Sequence, residues 1–344
     1  MKRTKKKLTR KEKEDRSAVL WWLFFEKLLE KVEAFIMVTD SSGRIVFANS
    51  SCLDSFSLPE KAVMGKDWIK SIIAESERNA ISKIFSDIKR KKMLMRFDAP
   101  VMIAKRLEKR ICWSAIPLKE RRRYFYMFIG RERTCSAKRV NVHNVTPLKL
   151  NEAYREAIDM FFKASISNDP DTAKHAHRVM AFAVALAKRL KISKKRIERL
   201  KVACLLHDIG KIAVDEKILY KKGKLTRKEF AQIKRHPIWG ADVAKLFYFL
   251  RDIIPIMMSH HENYNGSGYP AGLKGDAIPL EARLLSVVDI YEALTADRPY
   301  RKGFSREEAI AIIREERGWK LDPKITDIFL EMVKKNKIKE ENIG

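Results

Sequence analysis

The chain has 344 residues, 46% of them hydrophobic, which is enough for two ordinary domains with cores of their own. Its 72 Lys and Arg residues outnumber the 44 Asp and Glu residues and give a formal net charge of +28. This charge favours an anionic partner such as a nucleotide, a polynucleotide or an acidic membrane surface. An abundance of Lys, Arg and Glu is also typical of proteins from hot environments, and both interpretations stay open.

Cysteine content and hydropathy indicate a reduced, cytoplasmic protein. Cys52, Cys112, Cys135 and Cys204 form no close pair, so neither a disulfide framework nor a zinc site is expected. No run approaches the roughly 20 apolar residues that a membrane-spanning helix needs. The apolar segment 18–25 lacks a cleavage site, so we do not expect a signal peptide.

Residues 1–26 form a basic tail and a lead-in helix. Residues 1–16 carry nine Lys or Arg and three acids, which predicts a solvated tail or, alternatively, an arm that contacts an anionic surface. Aromatic residues at 21–25 would help such a contact. Apolar residues recur at helical intervals from 19 to 32 and predict an amphipathic helix that could serve as a dimer seam.

The next hundred residues alternate between strand and short-helix patterns. Two β-branched and aromatic runs, 34–39 and 44–48, flank a four-residue link that ends in Gly43, and this predicts a hairpin. Short helical patterns continue to about residue 88, followed by strand-like runs near 93–104, 109–116 and 123–130. The region therefore predicts an α+β domain with an antiparallel sheet and short helices.

The segment Asp40-Ser-Ser-Gly-Arg-Ile-Val-Phe-Ala-Asn49 and the later Met64-Gly-Lys-Asp-Trp68 resemble a PAS sensor domain, over residues 27–135. The resemblance implies a domain that binds haem, flavin or another small ligand, or that pairs with a second copy. Residues 1–142 contain no histidine, so a haem held by a histidine has no candidate ligand here. We expect a homodimerisation module or a site for an unidentified small ligand.

Residues 136–150 have little apolar periodicity and contain Pro147, which predicts a linker. From 151 to 344 helical patterns dominate and strand patterns are lacking, so an all-α bundle is expected. Val179, Phe182, Ala183 and Leu186 mark the first long helix. Further helices are predicted near 194–209, 226–234, 237–249, 251–261, 280–296, 305–317 and 323–335.

Histidine and aspartate residues cluster at the ends and on the apolar faces of these helices. Six of the seven histidines fall within 175–261, and Asp289 lies in a very apolar segment where an unpaired carboxylate would be costly. Any one of these histidines alone could be an ordinary core residue. Together, on helices that converge in a bundle, they predict a metal centre.

Residues 169–322 resemble an HD-GYP domain, a branch of the HD metal-dependent phosphohydrolases. The matching elements are His175 with Arg178-Val179, His207-Asp-Ile-Gly-Lys211, His236-Pro-x-x-Gly240, His260-His-Glu-x-x-x-Gly-Ser-Gly-Tyr-Pro270 and the segment from Pro279 to Arg301 around Asp289. The resemblance implies a phosphodiesterase that hydrolyses cyclic di-GMP to pGpG or GMP. It also implies two or three iron or manganese ions per chain and attack by a metal-bridging hydroxide.

The resemblance also implies a role for individual residues. The metal ligands would be His175, His207, Asp208, His236, His260, His261 and Asp289, with Asp208 bridging two ions and acting in catalysis. Lys211 would neutralise a phosphate oxygen in catalysis and substrate binding, although an ordinary lysine at a helix end is the alternative. Tyr269, Arg298 and Arg301 would contact the substrate.

Two positions depart from the family pattern or have two possible roles. Asp171 lies one helical turn before His175 and is either the ligand of a third metal ion or a helix cap. Asn265 stands where the family more often has Asp, and Asn-Gly keeps the turn chemistry.

We expect a phosphodiesterase that is regulated by its PAS-like domain. Two alternatives stay open: a catalytically silent receptor for cyclic di-GMP, and an HD hydrolase of another cyclic dinucleotide.

Overall fold

The computed structural model describes residues 26, 28–30, 32, 34–91, 95–103, 107–120, 123–132, 146–147, 158–159, 161–163, 170–297 and 302–335. The chain divides into two compact units. The first contains Met1–Met160 together with Leu246–Tyr248, and the second contains Phe161–Lys245 and Phe249–Gly344. The basic tail and most of the lead-in helix lie outside the described residues, so those assignments stay predictions, as do the exact domain limits.

The first unit is built on an antiparallel sheet with the strand order β2-β1-β5-β4-β3-β6. The strands are β1 Phe35–Asp40, β2 Ile45–Ala48, β3 Met95–Ile103, β4 Leu107–Glu120, β5 Arg123–Glu132 and β6 Thr146–Pro147. Asp40 closes the β1–β2 hairpin because its carboxylate accepts the backbone N–H groups of Ser42 and Arg44 at 2.8 and 2.9 Å. Gly43 takes the left-handed conformation in this turn (φ +86°), which favours glycine.

Helices connect the hairpin to the remaining strands: α1 Ser50–Ser55, α2 Glu60–Val63, α3 Trp68–Ile72, the 3₁₀ turn Glu75–Glu77 and α4 Arg78–Lys91. The core of this unit is rich in aromatic side chains, among which Trp68 and Phe128 stack at 4.5 Å between ring centroids. Asn49 caps α1 and accepts the backbone N–H of Ile36, which ties the start of the helix to β1. The predicted antiparallel sheet with short helices is confirmed.

The second unit is helical over the residues that the structure describes. Its helices are α5 Pro170–Arg189, α6 Lys194–Leu206, α7 Glu216–Leu219, α8 Arg227–Ile233, α9 His236–Ala244, α10 Ile254–Ser259, α11 Leu280–Thr295, α12 Arg306–Glu315 and α13 Pro323–Lys334. The 3₁₀ segments are Ile209–Ala213, Tyr248–Ile253 and Gly275–Ala277. The predicted apolar face of α5 is buried, with Val179, Ala183 and Leu186 all at 0% exposure. The expectation of a helical second domain is confirmed.

Two segments differ in detail from their predicted form. Thr146 and Pro147, inside the predicted linker, pair with Arg96 and Met95 at the edge of the sheet. The predicted helix 251–261 is a 3₁₀ turn followed by α10, because Pro255 has no N–H to donate and is accommodated in the first turn of a new helix.

Cys52, Cys112 and Cys204 are not in disulfide bonds. In the part of the chain that the structure describes, no helix combines the length and the apolar composition needed to cross a bilayer.

Candidate metal centre

Three histidines are oriented by carbonyl groups at the ends of helices. The Nδ1 atoms of His207, His236 and His260 lie 2.8, 2.7 and 2.7 Å from the carbonyl oxygens of Cys204, Ile233 and Met257. Since a carbonyl oxygen can only accept, each Nδ1 carries a proton and donates it. In a neutral ring each Nε2 is then the unprotonated nitrogen that could bind a metal ion, and the hydrogen bond fixes the plane of the ring.

These Nε2 atoms converge on Asp208. His236 Nε2 lies 3.3 Å from Oδ1 of Asp208 and 3.2 Å from Nε2 of His260. Two unprotonated nitrogens that face each other at this distance repel unless a cation lies between them. Among the described residues, Nε2 of His207 and Oδ1 of Asp208 are also buried without a hydrogen-bond partner. The donor set therefore fits metal ions, since burying polar atoms without a partner is costly.

The donor atoms form two groups that share one carboxylate. Asp208, His236, His260 and His261 make up one group, and His175, His207 and Asp208 make up the other, with all donor atoms of each group within 4.8 Å of one another. Nitrogen and oxygen donors of this kind suit transition-metal ions. Asp208 belongs to both groups, so the arrangement fits two neighbouring ions with Asp208 between them.

Asp289, on α11, lies beside the histidines of the second group. Its Oδ1 lies 3.2 Å from Nε2 of His175 and 3.9 Å from Nε2 of His207. Glu292 follows Asp289 by three residues and lies on the same face of α11. It is buried and accepts a hydrogen bond from Nδ1 of His175. The other oxygen of Glu292 accepts from Nε of Arg178 at 2.7 Å. Glu292 thus fixes the His175 ring from behind, in the way that carboxylates orient histidine ligands of metals.

Protonation at neutral pH matches the ligand role for most of these groups. Burial lowers the pKa of His236 and of His261 to about 4, and burial together with the neighbouring imidazoles lowers that of His260 well below its usual range. Burial raises the pKa of Asp208, but Lys211 and the surrounding histidines outweigh it and hold that pKa well below 3.8. Three neutral imidazoles and an ionised carboxylate are the forms that bind metals.

His175 is the exception in the metal-free chain. Burial lowers its pKa, but hydrogen bonds to Asp289 and Glu292 outweigh burial and raise it to about 10. The ring therefore carries a second proton, on Nε2 toward Asp289, that a metal ion would have to displace.

Two glycines let the elements approach closely. A Cβ atom on Gly210 would lie 1.9 Å from the carbonyl oxygen of His236 and 2.6 Å from the backbone nitrogen of Gly240. No side chain fits there, so glycine allows the segment after Asp208 to lie against the start of α9. This contact explains the spacing His-Asp-x-Gly and His-Pro-x-x-Gly in the two motifs.

The loop after His261 is held by Glu262. Its buried carboxylate accepts backbone N–H groups from Ala271, Gly272 and Leu273 at 2.7, 3.1 and 3.1 Å. A Cβ on Gly268 would lie 2.2 Å from the backbone nitrogen of Asn263, so only glycine fits. The loop places the Tyr269 ring 4.9 Å from the His261 ring at 30° between planes, which is close to parallel stacking.

Of the remaining predicted site residues, the structure describes the side chains of Lys211 and Asn265 but not those of Asp171, Arg298 and Arg301. Lys211 lies beside the ligands, with its Nζ 2.6 Å from Oδ2 of Asp208. The Asn265 side chain accepts the backbone N–H of Ser267 at 2.9 Å within the turn. Asp171 lies in α5, but its side chain is outside the described residues, as are Arg298 and Arg301 altogether.

Sequence reasoning missed the roles of three side chains, those of Arg178, Glu262 and Glu292. A signal existed for Glu292, because a second acid three residues after Asp289 lies on the same helix face. A signal also existed for Glu262, which directly follows the histidine pair before a loop with several glycines.

Comparison with known proteins agrees with both halves of the fold. The family model of the HD domain matches residues 162–325, and that of the PAS fold matches residues 23–99. Together the two matches cover most of the described residues in both units.

Curated relatives match about half of this chain. The chain is 36% identical over 184 residues to the "Cyclic di-GMP phosphodiesterase response regulator RpfG" of Xanthomonas campestris pv. campestris (strain 8004), with 53% of this chain and 49% of that protein aligned. It is 40% identical to a "Probable cyclic di-GMP phosphodiesterase" of Vibrio cholerae, over 50% of this chain and 43% of the relative. A "3'3'-cGAMP-specific phosphodiesterase 3" of the same organism is 36% identical, over 51% and 38%.

The chain spans half or less of the length of these relatives. The resemblance to HD-GYP and PAS domains is confirmed. Residues 162–325 thus carry a domain that matches the HD domain family, and residues 23–99, ahead of it, match the PAS fold.

Proposed function

We propose that the chain is a metal-dependent phosphodiesterase that hydrolyses cyclic di-GMP to pGpG, GMP or both. The observation that carries the proposal is the pair of donor groups that share Asp208. A pair of neighbouring divalent ions is the usual device for in-line displacement at a phosphodiester. The names of the curated relatives support the same class of reaction.

The residues proposed to hold the ions are His175, His207, Asp208, His236, His260, His261 and Asp289. Iron or manganese is proposed, in two ions or, with Asp171 as an added ligand, three. When bound, such ions would polarise the phosphoryl group and activate a water nucleophile at neutral pH.

The chain's own side chains supply charge and fixed geometry. Lys211 Nζ is within 2.6 Å of Asp208, so a small rotation of its flexible side chain would bring the ammonium to an oxygen of the scissile phosphate. A charge-assisted hydrogen bond of this kind stabilises the negative charge that builds up during attack. Glu292 and Arg178 hold His175 in place, so little reorganisation is needed when substrate arrives.

A cyclic dinucleotide is the proposed substrate class, with cyclic di-GMP ahead of the hybrid 3′3′-cGAMP. Relatives of similar identity bear both names, so the hybrid dinucleotide is the second candidate. Arg298 and Arg301 are proposed to contact phosphate and guanine, because a planar guanidinium suits both. The PAS fold is proposed to regulate the activity.

The proposal is tested by incubating the full chain, loaded with Mn(II) or anaerobically with Fe(II), with cyclic di-GMP, 3′3′-cGAMP and pGpG. We expect the linear product from cyclic di-GMP and faster turnover of it than of the hybrid. His236→Gln should abolish turnover. The matched control His177→Gln changes an exposed histidine on α5 and should leave turnover unchanged. A fully metal-loaded chain that binds cyclic di-GMP without cleaving it would instead establish a receptor.

A further inference from the structure

Lys234, at the end of α8, is held between two aromatic rings. Its Nζ lies 5.0 Å from the ring centroid of Phe230 and 5.1 Å from that of Tyr269. Phe230 precedes Lys234 by four residues, so the two side chains share a face of the helix. Tyr269 approaches from the loop after the histidine pair.

This lysine lies at the edge of the metal centre. The Tyr269 ring that it contacts stacks on His261, a member of the first donor group. Two residues further along the chain, His236 belongs to that group as well. The Tyr269 ring therefore contacts both the ammonium of Lys234 and the imidazole of His261.

The ammonium of Lys234 is also available to an anion. In the stretch 170–297 and the other described segments, it has no carboxylate within ion-pair distance, whereas Lys211 pairs with Asp208 and Lys221 pairs with Glu229. A cation–π contact fixes the position of an ammonium but leaves its N–H donors unused. Both Lys234 and Phe230 are exposed, with Phe230 at 45%.

We propose that Lys234 binds the second phosphate of the cyclic dinucleotide, the one that is not being cleaved; this inference rests on the proposed substrate class. A cyclic dinucleotide has two phosphodiesters in one ring. The metal centre and Lys211 engage the scissile one, so the other lies outside the cluster, where a further cation at the rim would stabilise its negative charge. A lysine held beside Tyr269 provides one at the rim of the same site.

The test measures binding of the hydrolysis-resistant bis-phosphorothioate analogue of cyclic di-GMP to the manganese-loaded full chain by calorimetry. Four proteins are compared: the unchanged chain, Lys234→Met, Lys234→Arg and the control Lys228→Met, an exposed lysine of the same helix. We expect Lys234→Met to weaken binding about 10-fold, the size of one charge-assisted hydrogen bond. Lys234→Arg should recover most of the loss, and Lys228→Met should change nothing.

Two further readouts separate phosphate binding from a structural role. The metal content of Lys234→Met should equal that of the unchanged chain, and the salt dependence of its affinity should be weaker because one cation no longer meets the ligand. Equal affinities of Lys234→Met and Lys228→Met would overturn the proposal, and so would a loss that Lys234→Arg does not recover. If the unchanged chain binds the analogue but does not cleave cyclic di-GMP, only the proposed hydrolysis is contradicted. If the unchanged chain does not bind the analogue, the proposed hydrolysis and the proposed role of Lys234 are both contradicted.

Discussion

The Nε2 atom of His236 lies 3.3 Å from Oδ1 of Asp208, although the two residues come from different helix ends. The approach depends on Gly210, which lets the backbone after Asp208 lie against the carbonyl of His236. The close contact of Gly210 with the backbone at His236 and Gly240 thereby sets the distance between the proposed metal ligands Asp208 and His236.

Replacing Gly210 with alanine should push these elements apart. The added Cβ would lie 1.9 Å from a backbone oxygen, so the backbone itself must move. We expect a loss of about 2 kcal/mol or more in the free energy of unfolding, as in other overpacked sites, together with weaker metal binding. Urea unfolding and metal titration measure the two effects.

Gly223→Ala is the control for that variant, because its Cβ would meet no atom within 4 Å and only its left-handed backbone is strained. It should cost about 1 kcal/mol and leave metal affinity unchanged. Equal metal affinity in both variants would contradict the role given to Gly210.

Glu292→Gln should weaken metal binding at His175. The change keeps the shape of the side chain but removes the charge that accepts the Nδ1 proton and pairs with Arg178. We expect a loss of about 10- to 100-fold in affinity for at least one ion, which is typical of the residues that orient histidine ligands.

Competition with a chelating dye measures this change. The matched control is Glu281→Gln, which removes another buried carboxylate of α11, one paired with Arg196. If Glu281→Gln lowered metal affinity as much as Glu292→Gln, the effect would be one of general stability.

The metal-free chain should lose stability as the pH falls from about 6.5 to about 4. Burial lowers the pKa values of His236 and His261 to about 4 in the folded chain, from an ordinary histidine value of 6.5. Below pH 6.5 the unfolded chain binds protons at these histidines and the folded chain does not, so the unfolded state is favoured. At about 1.4 kcal/mol per pKa unit, each histidine contributes on the order of 3 kcal/mol.

Urea unfolding of the chelator-treated chain between pH 7.5 and pH 4 checks this dependence. His236→Gln should flatten the decline between pH 6.5 and pH 4. An equally steep decline in that variant would show that the acid sensitivity arises elsewhere.

Lys211→Met should lower the turnover number while leaving the metal content unchanged. The side chain lies 2.6 Å from Asp208 but is assigned to the phosphate rather than to a metal ion. Loss of one group that stabilises developing charge typically costs about 100- to 1000-fold in kcat. Loss of metal along with activity would give Lys211 a structural role instead.

The sequence was most informative where periodicity and residue chemistry coincide. The order of the helices and the histidines at their ends could be read from apolar spacing and motif, and the structure brings His207, His236 and His260 together around Asp208. Glu292 could not be recognised from the sequence, because an acid on a helix is usually exposed and only the packing of α5 on α11 buries it against His175.

Local interruptions were equally hard to predict. Thr146 and Pro147 join the sheet through two pairs with β3, and so short a strand has no periodic signal. The change from a 3₁₀ segment to α10 occurs at Pro255, which lies in the first turn of α10. The sequence alone does not show whether such a proline begins a new helix or lies within a longer one.

The most direct test of the central claim is the number of metal ions per chain in anaerobically purified protein, with and without Asp208→Asn. Two donor groups that share Asp208 predict at least two ions of iron or manganese per chain and a fall to one or fewer in the variant. A single ion in the unchanged chain, or a full complement in Asp208→Asn, would contradict the shared centre.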